Sequence, residues 1–183
     1  MSHRSLLAIL VLLFVNLFML PSVFAVDASK VAKDKQTSLG LYYTSVEAHD
    51  RMKAHSDKTL FLDIRDPVEI HTVGMPAGVD YNVPFKLINT KKWDNKKGKF
   101  KLDSNPEFLK DVAARLKAKG LAKDDEIVVI CGSGKRAAKA VNAMAKAGYK
   151  NVYPVTDGYK GWQKNKLPFD KKLDKKKIYG NPT

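Results

Sequence analysis

Cys131 is the only cysteine in this 183-residue chain, and the residues after it are Gly132-Ser133-Gly134-Lys135-Arg136. A free cysteine is most often a small buried hydrophobe. Its neighbours here argue for chemistry. The apolar run Ile127–Ile130 reads as a strand and residues 137–147 as a helix, so Cys131 falls at the carboxyl end of a strand. Open parallel sheets place their ligands at that edge. Glycines let the backbone curl so that successive N–H groups turn inward and form an anion nest. The helix that follows adds its positive end. Both effects favour a thiolate, and Lys135 and Arg136 add positive charge beside it. The pattern predicts a nucleophilic Cys131 inside donors supplied by residues 132–136.

Other readings of these residues fit less well. A P-loop would need glycine at Val129 and serine or threonine at Arg136. A phosphatase loop of the Cys-x5-Arg type would need one more residue between Cys131 and Arg136; the shorter ring suits a single sulfur atom better. His49, His55 and His71 show neither the spacing of a Cys–His pair nor that of metal ligands. No metal and no cofactor are expected. With one cysteine, a disulfide framework within the chain is excluded.

The surrounding elements must hold that loop. Residues 1–25 read as a secretory signal: Arg4, an apolar run Leu6–Leu20 broken by Asn16, then Pro21 and the small residues Val23 and Ala25. A periplasmic or secreted location follows. The competing reading is a retained anchor, since the apolar stretch approaches the length of a membrane span; membrane contact is expected only in that case. Residues 26–40 read as a loose arm. Thr44 and Glu47 fit a capping box that opens a helix to about His55. Thr59–Asp63 reads as a buried strand and Val79–Val83 as a weaker one. Residues 86–103 are lysine-rich without apolar period and read as a surface excursion. Asn105-Pro106 opens a helix that stops at Gly120. Glu126–Ile130 is the clearest strand, Asn151–Val155 another, and Tyr159–Lys164 a short last helix. Trp162 reads as core. Residues 170–183 read as a basic, solvated tail. Strands alternating with helices predict an α/β domain over residues 41–169, with a mostly parallel sheet of about five strands covered on both faces.

Composition agrees with one folded domain. Hydrophobic residues make up 44% and aromatics 9%, which argues against global disorder. Lys and Arg number 33 against 19 Asp and Glu, a net charge of +14. That charge fits anionic substrates or an acidic protein partner. Nucleic acid is not expected, because the chain reads as exported and lacks aromatic interleaving.

Three blocks in order resemble the rhodanese (sulfurtransferase) family over residues 41–169. The first is Leu62-Asp-Ile-Arg-Asp-Pro-Val-Glu69, with Gly74 and Tyr81-Asn-Val-Pro84 after it. The second is Cys131-Gly-Ser-Gly-Lys-Arg136. The third is Asp157-Gly-Tyr-Lys-Gly-Trp162 with Leu167-Pro168. The chain departs from the family at Gly132, where many single-domain members carry arginine, and at Met75-Pro76, where a histidine is usual after the glycine. Its Cys-Gly-Ser-Gly half is similar to mercaptopyruvate-type loops and its Lys-Arg half to thiosulfate-type ones. The resemblance implies a rhodanese-like fold and sulfur transfer through a persulfide on Cys131. A thiosulfate-like donor would give sulfur, and cyanide or a thiol would accept it. Gly132, Ser133, Gly134, Lys135 and Arg136 would bind the donor. Asp63 and Arg65 read first as a structural ion pair supporting neighbouring loops. A rhodanese-like sulfur carrier or partner-binding module with little turnover is the second reading, and a Cys-dependent phosphatase a distant third.

Overall fold

Side-chain alternation along two central strands divides the core. In β1 (Thr59–Asp63) and β6 (Glu126–Ile130) every residue is buried. A computed structural model describes residues 26–180; the expected signal segment, residues 1–25, lies outside them. Leu60 and Leu62 of β1, with Ile127 and Val129 of β6, face one side. There they pack against α3 (Phe108–Ala118) and α4 (Lys135–Lys146). Phe61, Val128 and Ile130 face the other side. They meet α1 (Ser45–His55), α2 (Pro67–Val73) and α5 (Gly158–Lys164). Two apolar faces on one strand require helices on both sides, which is why these strands read as unbroken apolar runs.

The sheet is parallel, in the order β3-β1-β6-β7, with β3 at Tyr81–Asn82 and β7 at Val152–Pro154. It has four strands where about five were expected. The fifth is reduced to a single parallel bridge between Tyr43 and Val155. The strand expected over 79–83 is only two residues long, because Pro84 lacks a ladder donor and the chain leaves the sheet there. A short antiparallel pair joins β2 (Met75–Pro76) to β8 (Phe169–Asp170).

Three surface segments differ from expectation. Residues 86–103 form a hairpin of β4 (Lys86–Asp94) and β5 (Lys99–Ser104). Its strands pair only with each other, so with no core to face they carry lysines rather than an apolar period. The segment 26–40 is docked instead of loose. Val31 is buried, Lys35 Nζ donates to Thr156 O at 2.8 Å, and Ser38 N donates to Asn142 Oδ1 of α4 at 2.8 Å. The basic tail is also tied down. Leu173 and Ile178 pack on the α1/α2/α5 side, and Lys177 Nζ donates to Val79 O at 2.8 Å. In both segments a few apolar residues and lysine stems anchor a chain whose composition reads as solvated.

At the end of β1 a buried ion pair fixes the loops. Arg65 Nη2 lies 2.6 Å from Asp63 Oδ2, with both side chains almost fully buried. Arg65 also donates to Gly74 O at 2.8 Å and lies 4.0 Å over the Tyr159 ring. Asn82 Nδ2 donates to the carbonyls of Asp63 and Arg65, both at 2.8 Å. Arg65→Ala would leave the Asp63 carboxylate buried and unpaired. It is expected to cost about 3–5 kcal/mol in denaturant unfolding. The double change Asp63→Asn with Arg65→Met is expected to cost clearly less, because no buried charge remains.

Candidate active site

Cys131 leaves β6 on the α4 side, continuing the alternation of Ile127 and Val129. It is 1% exposed. Its Sγ accepts a hydrogen bond from the Ala137 N–H at 3.3 Å, three residues into α4. The donor thus comes from one residue beyond the predicted 132–136 ring. Among the described residues, no amide of 132–136 donates to another protein group.

The cause lies in the chain beyond β7. Tyr159 N donates to Cys131 O at 2.8 Å, and Lys160 N donates to Gly132 O at 3.1 Å. In a trans peptide the N–H points opposite to the C=O. Fixing these two carbonyls on α5 therefore turns the Gly132 and Ser133 amides away from α5. Close approach makes this possible. A side chain at Gly158 would sit 2.7 Å from Ser133 N, and Gly158 has a φ of +61°. Gly134, with φ +88°, presses on the Thr156 backbone and caps α4 in a left-handed conformation. Gly158 was legible only as part of the third resemblance block; its role as a support for the loop needed the structure.

The cationic residues are engaged. Arg136 makes a two-pronged pair with Glu69, Nη1 to Oε2 at 2.6 Å and Nη2 to Oε1 at 2.5 Å. Arg136 Nη2 lies 3.4 Å from where a Cβ of Gly132 would be, so this pair lies against the loop. Burial raises the Glu69 carboxyl, but the hydrogen bonds and charge of Arg136 outweigh it and hold Glu69 below its ordinary value. Burial likewise works against the charge of Arg136; Glu69 reverses that and raises the guanidinium above its ordinary value. Lys135 pairs with Asp34 of the docked arm at 2.5 Å. Neither cation is free for a donor in this state. Glu69 stands in the first resemblance block, yet its hold on Arg136 was not predicted. Ser133 is half-buried. Asp63 and Arg65 pair with each other in the core, as described, and Trp162 is fully buried.

The family profile described as a rhodanese-like domain matches residues 45–165, well over half of the chain. The chain belongs to the rhodanese-like family. Thiosulfate sulfurtransferase 16, chloroplastic, from Arabidopsis thaliana is 32% identical over 121 residues, covering 66% of this chain and 85% of the relative. Thiosulfate sulfurtransferase 18 from the same plant is 33% identical over 110 residues, covering 60% and 71%. Among solved structures, the polysulfide-sulfur transferase homodimer of Wolinella succinogenes superposes with a TM-score of 0.49 and 22% identity, covering 75% of this chain and 80% of that one. The rhodanese-like domain thus has sulfurtransferases among its relatives, and it presents its single thiol at the start of α4.

Two outcomes follow from the Glu69–Arg136 pair. Glu69→Gln keeps a side chain able to cap α2, where Glu69 accepts from Asp66 N at 3.1 Å, while removing the carboxylate from Arg136. Alkylation of Cys131 by iodoacetamide in the folded protein should become several-fold faster. The pair also sets a pH dependence. Glu69 is held below its ordinary value, so its stabilisation is complete above that value and is lost as pH falls through the lowered one. The Tm gap between the native protein and Glu69→Gln should be full at neutral pH and should shrink as pH falls below the ordinary carboxyl value and through the lowered one.

Proposed function

We propose that this rhodanese-like domain is a thiosulfate-type sulfurtransferase acting through a persulfide on Cys131. The observation that carries the reading is the Cys131 sulfur on an α4 N–H, beside loop amides that donate to no other group among the described residues. Cys131 thiolate attacks the outer sulfur of thiosulfate. The S–S bond of the donor breaks, and sulfite leaves with the electron pair. The persulfide sulfur then lies where N–H donors can balance its charge. Cyanide or a thiolate attacks that outer sulfur, the Cys–S–S bond breaks, and Cys131 returns as thiolate. Each step is a displacement, so the cycle is covalent catalysis with two half-reactions.

The residues 132–136 would bind the anionic part of the donor. Arg136 is the best match for sulfonate-like oxygens, because its planar fork binds two at once. To do so it must leave Glu69, so donor binding and opening of the loop are one event. Mercaptopyruvate is a second donor that Gly132-Ser133-Gly134 favours. The four residues between Cys131 and Arg136, one fewer than a Cys-x5-Arg loop needs, weigh against a phosphatase. The burial of Cys131 lends support to a second reading, a carrier that shelters sulfur for a partner without rapid turnover. Arg4, the Leu6–Leu20 run and the Val23/Ala25 pair support export of the chain, with cleavage after Ala25.

Thiocyanate should form when the protein meets thiosulfate and cyanide, and intact mass after thiosulfate alone should rise by one sulfur atom. Absence of both from folded protein would refute the enzyme and the carrier alike; the adduct without thiocyanate would leave the carrier. Cys131→Ser should abolish transfer while leaving the unfolding transition near that of the native protein. Residual turnover above background would exclude the covalent route.

A further inference from the structure

The β4–β5 hairpin and the start of α4 enclose a groove of about 350 Å3. Seven cationic side chains line it against one carboxylate, Asp94, so its field is strongly positive. Among the described residues, Lys86, Lys99, Lys101 and Lys139 form no ion pair. Lys135 and Arg136, from the loop that follows Cys131, line the same groove. Phe100 lines it as well. It meets Trp93 edge-to-face at 5.0 Å, and the two are 43% and 50% exposed.

These features exceed what a small donor needs. Thiosulfate carries two charges, which the Arg136 fork and one lysine would satisfy. Four uncompensated lysines around one concavity repel one another unless an extended anion lies among them. An exposed aromatic pair is of no use to an inorganic anion, but it is a typical anchor for a polypeptide. The hairpin that bears it pairs with no other strand, and its base is held where Asp66 Oδ2 accepts from Ile88 N at 2.8 Å. Asp66 is also the N-cap of α2, the helix that carries Glu69.

We propose that this groove docks an acidic polypeptide segment whose own cysteine is the sulfur acceptor. The proposal rests on the sulfurtransferase reading and names its second substrate. Carboxylates of the segment meet Lys86, Lys99, Lys101 and Lys139, and an apolar side chain meets Trp93 and Phe100. The segment's thiolate attacks the outer sulfur of the Cys131 persulfide. One S–S bond forms as another breaks, Cys131 leaves as thiolate, and the new persulfide sits on the acceptor. No external oxidant or reductant is needed.

Two synthetic peptides test it. Each has one cysteine and one tryptophan; one is rich in Glu and Asp, and the other has Gln and Asn in their place. With thiosulfate as donor, the acidic peptide should show a KM about tenfold lower at low salt, and the advantage should shrink as salt rises. Lys99→Gln, Lys101→Gln and Lys139→Gln combined should remove the advantage while leaving transfer to cyanide unchanged. Equal use of the two peptides, or an advantage that survives the triple variant, overturns the proposal. Binding is read separately with a cysteine-to-serine, phenylalanine-for-tryptophan acidic peptide and the protein's own tryptophan fluorescence. Binding without sulfur transfer to any acceptor defeats the sulfurtransferase reading and leaves the docking site standing. No binding defeats the docking site. Tripolyphosphate or an oligothymidylate that occupies the groove as tightly as the peptide assigns it to a small polyanion or a nucleic acid, and overturns the peptide.

Discussion

Two backbone hydrogen bonds from the first turn of α5 to the carbonyls of Cys131 and Gly132 set the character of the site. They hold the Cys131 and Gly132 carbonyls on α5, so the amides of Gly132 and Ser133 turn away from that helix. Without them a peptide can rotate and place a carbonyl oxygen near a developing negative charge, which would repel it. The contact needs a bare α-carbon at Gly158 and another at Gly134. Gly134 and Gly158 therefore serve a single end, close contact between the thiol loop and the chain that follows β7.

The second constraint is that the loop is closed at rest. Cys131 is in the core, its sulfur takes a helix N–H, and Arg136 is held by Glu69 across the Gly132 face. Burial keeps the sulfur out of reach of bulk solvent. The two oxygens of the Glu69 carboxylate fill both prongs of the Arg136 fork. The same network runs on through Asp66 to the hairpin, so the helix that holds the arginine also anchors the basic groove.

Much of this was legible in the sequence because it is local. The capping box at Thr44 and Glu47 forms as read, and the unbroken apolar run 126–130 is a central strand. Cys131 falls at the strand end, and the helix read over 137–147 forms as α4, starting two residues earlier at Lys135. The Asp63–Arg65 ion pair takes the bland role the residue types suggested. The rest depends on partners distant in sequence. Glu69 meets Arg136 across 67 residues, Asp34 meets Lys135, and the arm and tail dock by a few contacts hidden in lysine-rich stretches. The hairpin escaped the period-2 test because neither of its faces is packed into a core: its residues are half-buried near the base and mostly exposed beyond it.

The order of the chain also matters. The loop belongs to residues 131–136, but the turn that orients it lies at 158–160, and the β8 strand that pairs with β2 comes later still. On the ribosome, a nascent polypeptide ending near residue 150 has its cysteine but not the clamp. The backbone around the cysteine is therefore completed only once residues 158–160 are in place.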